Sequence, residues 1–287
     1  MKIDLHLHTT ASDGTDTPTE LVRFASQRGE NCVIAITDHD TVDGLERASK
    51  QLPPNVKLIG GIEFSCAVRG ERGFRCHIIG YGMDISHPSL ISAIEEGRTK
   101  RLEKKQKRLE YLSQNFGIVF SKEELATLDG YDSVGKLHIG NLIVARGLCE
   151  NVGDAIDKYL SGYSLPDDRR DAELAISAIN EAGGIAVWAH PLGGEREKRI
   201  DRKEVVRRLE LLYPMGLRGI ECFYSRYNRE EAEMLVGIAK QFSIAVSAGS
   251  DYHGKNKTVD FGTLGSDGYT PSYREISILP LLGIDLQ

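Results

Sequence analysis

The amino-acid sequence predicts an α/β fold, a distorted seven-stranded (β/α)7 TIM-like barrel with an all-helical insertion. Seven short apolar runs alternate with segments whose apolar residues recur at helical spacing. The runs are continuously apolar, the pattern of parallel strands buried on both faces. Histidines and carboxylates stand at the ends of most runs, where a cylinder of strands would gather them at one mouth.

The first run is Lys2–His6. A helix follows, opened by Thr17-Pro18-Thr19-Glu20, in which Thr17 can cap, Pro18 suits the first helical position and Glu20 completes a capping box. Leu21, Phe24 and Ala25 give it one apolar face, and Gly29 ends it. Run two is Cys32–Ile36; the helix after it passes through Leu45, Ala48 and Leu52 and stops at Pro53-Pro54. Run three spans Val56–Glu63 and run four Cys76–Tyr81.

The alternation lapses from about His87 to Asp168, where only helices are predicted. One long helix carries Leu90, Ile91, Ile94, Leu102, Leu109, Leu112 and Phe116; others cover Leu137–Arg146 and Ala155–Leu160. The basic run Arg98–Arg108 on the long helix reads as a solvated face, because Glu103 and Glu110 interrupt it and no aromatics interleave. Alternation resumes at Asp171 with a helix through Leu174, Ile176 and Ile179 that ends at Gly183-Gly184. Runs Ile185–Ala189, Gly219–Phe223 and Ile244–Ala248 follow. Helices through Val205, Leu209 and Leu212, and from Arg229 to Phe242, separate them. The expected organisation is a barrel from residues 1–88 and 169–287, with an insertion, 89–168, that lids the cleft and shapes substrate choice.

At 287 residues the chain can bury a large core, and its 40% apolar content is that of a globular enzyme. A net charge of −6 argues against a general nucleic-acid coat protein without excluding a local phosphate pocket. No apolar run approaches the ~20 residues of a membrane span. The N-terminus opens directly into a strand and does not read as a signal peptide. Cys32, Cys66, Cys76, Cys149 and Cys222 are scattered without C-x-x-C pairing, which reads as reduced thiols in a cytoplasm.

His6 and His8 lie two apart on a strand and so share one face. Asp13 follows in the next loop. His39, within Thr37-Asp38-His39-Asp40, ends run two, and Glu63 ends run three after Gly60-Gly61. His77 lies within run four, His190 precedes Pro191, and Asp251 and His253 stand two apart after the last run. Each alone has an ordinary reading, a polar strand end or a core histidine satisfied by packing. Together, six imidazoles and three carboxylates without a thiolate suit zinc, manganese or iron. Nine ligands exceed the need of one ion and imply two or three divalent ions. Clustered ions lower the pKa of a shared water and neutralise an oxyanion.

Asp4-Leu5-His6-Leu7-His8, Ala11-Ser12-Asp13-Gly14, Thr37-Asp38-His39-Asp40, Gly61-Ile62-Glu63, Ala189-His190-Pro191 and Gly249-Ser250-Asp251-Tyr252-His253-Gly254 resemble the PHP family of metal-dependent phosphoesterases, named for polymerase and histidinol phosphatase. The resemblance spans nearly the whole chain and implies a distorted seven-stranded barrel with a trinuclear site. His6, His8, Glu63 and Asp251 would hold the first ion, Glu63, His77 and His190 the second, and Asp13, His39 and His253 the third. A hydroxide bridging the first two would be the nucleophile, with Glu63, Asp251 and His190 as the catalytic positions. The insertion and the segment Gly219–Tyr227 resemble the subgroup acting on nucleotide and small-molecule phosphoesters. Its substrates include 3′,5′-nucleoside bisphosphates, short oligonucleotides taken from the 5′ end and cyclic sugar phosphates. By that likeness His138 and Arg226 would meet the substrate phosphate. Two departures leave room for a smaller cyclic diester: the loop Leu160–Pro166 lacks lysines expected beside a nucleotide phosphate, and Pro191–Glu195 is unusual for the nucleotide enzymes.

Without the resemblance His138 reads as a polar first turn of a helix. Arg226 reads equally as a phosphate grip or as a surface partner of Glu230. Trp188 packs in the core, and His87 is a loop residue. Asp38 and Asp40 stay open between orienting ligand histidines and donating a proton to the leaving group. The expected function is hydrolysis of a small phosphodiester or phosphomonoester, with no stable nucleic-acid complex and no membrane. Two alternatives remain: a hydrolase of C–N or amide bonds on the same fold, and a non-catalytic nucleic-acid-binding module.

Overall fold

The computed structural model describes residues 1–28, 31–71, 73–129, 131, 133–163, 169–195 and 197–284; Gly29 and residues 164–168, at the expected insertion boundary, lie outside it. In chain order the elements are β1 (Lys2–Leu7), α1 (Pro18–Ser26), β2 (Cys32–Ile36), α2 (Asp43–Ser49), β3 (Val56–Ala67) and β4 (Arg75–Tyr81). Then come α3 (Pro88–Phe116), α4 (Lys122–Asp129), α5 (Lys136–Ala145) and α6 (Val152–Ala155), which continues as a π-turn over Ile156–Leu160. The chain returns through β5 (Arg170–Asp171), α7 (Ala172–Glu181), β6 (Ile185–Ala189), α8 (Arg202–Leu212), β7 (Gly219–Tyr224), α9 (Arg229–Phe242) and β8 (Ala245–Gly249).

The strands form one sheet in the order β1-β2-β3-β4-β6-β7-β8, with the short β5 paired to β3. The sheet curls nearly shut. At the C-terminal ends of β1 and β8, Asp251 N–H donates to the His6 carbonyl at 2.9 Å and His8 N–H to the Tyr252 carbonyl at 3.0 Å. Gly249 permits this approach, because a Cβ there would lie 2.1 Å from the His6 Cβ.

The expectation of uniformly parallel strands is overturned at β4, which pairs antiparallel with both β3 and β6. Only residues 68–74 join β3 to β4, with Gly70 at φ +82° and Gly73 at φ +84°. A parallel crossover needs a dozen or more residues, so this connection can only be a hairpin. His77 therefore reaches the common mouth from the N-terminal half of its strand. The hairpin also carries β3 on to Ala67, so Glu63 lies within the strand and not at its end. Helix α2 ends at Ser49, before Leu52.

The capping box of α1 forms as the sequence predicts. Thr17 Oγ1 accepts from Glu20 N–H at 3.2 Å, and the Glu20 carboxylate accepts from Thr17 N–H at 2.8 Å. Such a cap contributes roughly 1 kcal/mol. Leu5, Ile62, Phe64, Ile78, Ile79 and Trp188, drawn from both faces of the sheet, belong to one buried cluster that extends under α7, α8 and α9. The helices after β4 have a core of their own, with Leu112, Leu128, Ile139, Ile143 and Leu160 buried together.

The basic run on α3 is not a uniformly solvated face. Arg98 binds Asp43, Arg101 binds Asp40 at 2.5 Å, and Lys105 binds Asp129 at 2.7 Å. Helix α3 thus lies across the ends of β2 and β3, which places its basic residues beside the mouth. Among the described residues no helix is long and apolar enough to cross a membrane.

Candidate metal centre

Glu63 is the hub of the mouth. Its Oε1 lies 2.9 Å from His77 Nδ1, 3.4 Å from His6 Nε2 and 3.4 Å from His190 Nε2. Its Oε2 lies 3.0 Å from His39 Nδ1 and 3.2 Å from His8 Nε2. Asp251 Oδ1 completes one side, 3.6 Å from His6 Nε2 and 3.5 Å from His8 Nε2. On the other side Asp13 Oδ1 lies 3.2 Å from His253 Nε2, and Asp13 Oδ2 lies 3.8 Å from His39 Nε2. All nine residues singled out from the sequence thus stand around one small volume, contributed by β1, β3, β4 and the segments following β1, β2, β6 and β8.

Their ligand atoms fall into three overlapping groups, His8-Asp13-His39-His253, His6-His8-Asp251 and His39-Glu63-His77, with the atoms of each group within 4.8 Å of one another. His39 is shared, its two ring nitrogens facing Glu63 and Asp13. The donor set fits divalent ions. His6 Nε2, His8 Nε2, His39 Nδ1 and Glu63 Oε2 are buried without a hydrogen-bond partner. Buried polar atoms rarely stay unpaired at no cost, and here four of them point into one volume. Nitrogen and carboxylate oxygen without sulfur is the borderline-ion donor set.

Electrostatics favour ligand forms at several positions. Burial works to raise Glu63 and Asp251, but the neighbouring imidazoles, with Lys257 at Asp251, outweigh it and hold both well below the usual carboxylate range. Burial pushes His77 down to about 4 and, with the charge of His253, holds His8 low. Both rings are thereby kept neutral, with a lone pair to offer. Backbone strain gathers at the same place. Of the four non-glycine residues with positive φ among the described residues, Asp40, His190 and Asp251 lie at the mouth, and Ser243 ends α9. Such conformations persist where the surroundings fix them, often at functional sites.

The supporting shell includes residues that sequence reasoning missed. Glu221, fully buried on β7, accepts from His6 Nδ1 at 3.0 Å and from His190 N–H at 2.7 Å. Tyr224 O–H donates to Asp251 Oδ2 at 2.9 Å, and Lys257 Nζ donates to the same oxygen at 2.6 Å. Glu221 and Tyr224 are three apart on β7, where a regular strand would put them on opposite faces, but the register shifts between Glu221 and Phe223, an irregularity the apolar run does not announce. Asp38 reaches a ligand histidine through Ser12, whose Oγ lies 3.4 Å from His8 Nδ1. Its carboxylate accepts from Thr9 N–H at 2.7 Å, Thr9 Oγ1 at 2.6 Å and Ser12 Oγ at 2.6 Å, which pins the loop that presents Asp13. Asp40 holds Arg101, whose Nη2 also donates to Ser65 Oγ at 3.3 Å.

His138 is buried rather than an exposed first turn. Its Nδ1 accepts from Gly135 N–H at 2.9 Å, its Nε2 has no hydrogen-bond partner, and its ring packs on Tyr131. The start of α5 abuts the metal face, since a Cβ on Gly135 would lie 3.2 Å from Asp13 Oδ2. Arg226 is partly exposed and faces Glu195 at 3.9 Å instead of Glu230. Trp188 is buried as expected, and His87 stands at the N-cap position of α3 without a side-chain capping hydrogen bond.

The PHP domain model matches residues 4–164. A 5′-3′ exoribonuclease of Haemophilus influenzae is 34% identical over 88% of this chain and 90% of its own length. A phosphoribosyl 1,2-cyclic phosphate 1,2-diphosphodiesterase of Eggerthella lenta is 30% identical over 88% of this chain and 94% of its own. The crystal structure of a chain from Bifidobacterium adolescentis, described as a metal-dependent phosphoesterase, superposes with a TM-score of 0.78 at 30% identity, covering 99% of this chain and 97% of that one. A clustered histidine–carboxylate mouth on a nearly closed mixed barrel, matched over this much of the sequence, places the chain in the PHP-domain family.

Proposed function

We propose that this chain hydrolyses small phosphoesters, diesters or monoesters of a sugar or nucleoside, at the mouth of the barrel. The convergence of five imidazoles on Glu63 carries the reading. His6, His8, Glu63 and Asp251 would hold one divalent ion, Glu63, His77 and His190 a second, and Asp13, His39 and His253 a third; manganese, zinc and iron all suit these donors. When bound, such ions activate water near neutral pH and offset charge on a phosphoryl oxygen. Glu63, Asp251 and His190 keep this donor array in register. Arg101, His138 and Arg226 would meet the phosphate oxygens, since a planar guanidinium can meet two such oxygens at once. The helices of residues 89–168 would close over the mouth, excluding water and selecting substrate, as the contact of α5 with Asp13 supports. The names of the relatives, an exoribonuclease and a cyclic-phosphate diesterase, support phosphoester chemistry. The five cysteines, four of them buried, form no disulfide among the described residues, which fits a reducing cytoplasm.

The test is a turnover screen of the protein loaded in turn with manganese, zinc and iron. It covers nitrophenyl phosphate mono- and diesters, cyclic sugar phosphates, nucleoside bisphosphates, short 5′-phosphorylated oligonucleotides and a matched nitroanilide. Phosphoester turnover without anilide turnover is expected. Anilide turnover alone would move the assignment to C–N hydrolysis, and oligonucleotide binding without any turnover would move it to a binding module.

A further inference from the structure

Of the three carboxylates that face the metal centre, one is used differently. Both oxygens of Glu63 look toward imidazoles. So do both oxygens of Asp13: Oδ1 lies 3.6 Å from His8 Nδ1 and 3.2 Å from His253 Nε2, and Oδ2 lies 3.8 Å from His39 Nε2. Asp251 divides its oxygens. Its Oδ1 faces His6, His8 and His253, at 3.6, 3.5 and 3.4 Å. Its Oδ2 instead accepts from Tyr224 O–H at 2.9 Å and from Lys257 Nζ at 2.6 Å. A carboxylate oxygen has two lone pairs, so these two donors fill it.

The Lys257 ammonium is brought there by the chain that follows the last ligands. Gly254 takes φ +63° and packs so closely on Thr15 that a Cβ would lie 2.0 Å from Thr15 Oγ1. Lys255 N–H donates to the same hydroxyl at 2.9 Å, and Asn256 Nδ2 donates to the Asp13 carbonyl at 2.8 Å. The turn is thus docked on the loop that carries Asp13, and the extended residue after it, Lys257, returns to Asp251. The Lys257 side chain is only 15% exposed, and Tyr224 is buried. Desolvating an ammonium is costly unless it is paired, so a cation kept beside a ligand carboxylate is more than a surface contact. Asp251 itself stands at φ +60°, a left-handed conformation that its surroundings hold in place.

We propose that Lys257, with Tyr224, is a positioning residue that withholds one Asp251 oxygen from the metal centre. A divalent ion can then take only Oδ1, and a coordination position that a two-oxygen grip would fill stays open. The ammonium also offsets one negative charge of the donor set, which moderates the hold on the ion. The open position would admit an oxygen of the scissile phosphate, a consequence that rests on the phosphoesterase reading. The assignment of Lys257 itself concerns the ligand set and is decided by metal binding.

The experiment titrates manganese into the wild type and into Lys257→Met, Lys257→Gln and Lys257→Arg, and reads free and bound ion by paramagnetic resonance. Methionine removes both charge and donor. Glutamine removes the charge and keeps a donor, and it decides the affinity if the methionine variant does not fold. Both neutral variants should hold at least one ion about ten-fold more tightly. In Lys257→Met the spectrum of the bound ion should also change as Oδ2 joins its ligands. Lys257→Arg should return affinity and spectrum toward wild type. A lysine with a merely structural role would give the opposite sign, because its loss loosens the site. Affinity equal to or weaker than wild type in the neutral variants overturns the proposal, as does an unaltered bound-ion spectrum in Lys257→Met. At saturating manganese, kcat for a nitrophenyl phosphate should fall about ten-fold in the neutral variants, although the ion is held more tightly. Undiminished kcat would overturn the open position. Absence of phosphoester turnover in the wild type would sink the phosphoesterase reading and leave the Lys257 assignment standing on the affinities.

Discussion

Glu221 accepts a hydrogen bond from His6 Nδ1 at 3.0 Å, and this fixes which face of the imidazole the metal centre sees. With the proton on Nδ1, the Nε2 lone pair is left to point at Glu63 and Asp251. The second Glu221 oxygen holds the backbone of His190 at 2.7 Å, in its positive-φ conformation. One carboxylate therefore positions two of the candidate ligands, His6 and His190. Glu221→Gln should weaken metal affinity about 10–100-fold, the usual cost of losing such a partner. Chelator competition measures it, and an affinity equal to wild type would reduce Glu221 to a packing role.

Glu63→Gln replaces one of two equivalent oxygens with an amide that cannot ligate. Because five imidazoles meet this carboxylate, the variant should lose at least one ion per chain and most of its turnover. Elemental analysis of the purified variant decides the first point. Full metal content with full turnover would remove Glu63 from the centre.

Arg101 is held by Asp40 and Ser65 while its Nη1 lies 3.8 Å from where a Gly135 Cβ would stand, beside Asp13. Arg101→Ala should raise KM for a phosphoester roughly 10–100-fold, a loss of about 1.5–3 kcal/mol for a charged hydrogen bond, with metal content preserved. Arg101→Lys should recover only part of it, since an ammonium cannot meet two oxygens in a plane. An unchanged KM would leave Arg101 as a strut between α3 and the barrel.

Metal binding should strengthen as pH rises. Burial acts to lower His6, but Glu221, Glu63 and Asp251 outweigh it and raise it well above the ordinary imidazole value. His39 and His190 are likewise raised by nearby carboxylates against the pull of burial. An ion must displace those protons, so affinity climbs until the raised imidazoles are deprotonated and falls on the acid side. Titration calorimetry at about pH 8 and about pH 6 should show tighter binding at the higher pH and greater proton release at the lower one. Affinity independent of pH would mean that these rings are not ligands.

Asp38→Ala should cost roughly 2–4 kcal/mol of stability, because it strands Thr9 N–H and two hydroxyls in a buried setting. Denaturant unfolding of the metal-free protein gives the number. A change under about 0.5 kcal/mol, the range of ordinary surface substitutions, would show that the Asp13 loop does not depend on Asp38.

The barrel was legible because parallel strands buried on both faces write long apolar runs, as β2, β6 and β8 do. The reversal of β4 was not, because β4 is equally buried and its sequence carries no mark of direction; only the short 68–74 connection does. The nine candidate ligands could be named because histidines and carboxylates interrupt apolar runs or stand just after them. Glu221 escaped notice because a single carboxylate within an apolar strand resembles any other polar inclusion until its partners, 215 residues away in His6 and 31 away in His190, are placed beside it. Arg101 was obscured by its neighbours: in a run of lysines and arginines, sequence does not tell which one turns toward the mouth.

The central claim is that distant imidazole and carboxylate groups close around cations at one end of the strand cylinder. Anomalous diffraction from crystals of the metal-loaded protein tests it most directly. The account predicts two or three anomalous peaks, the strongest within coordination distance of Glu63 and Asp251, each with at least two of the nine donors. Anomalous density located elsewhere, or a mouth that stays free of metal at saturating manganese, zinc and iron, would contradict it.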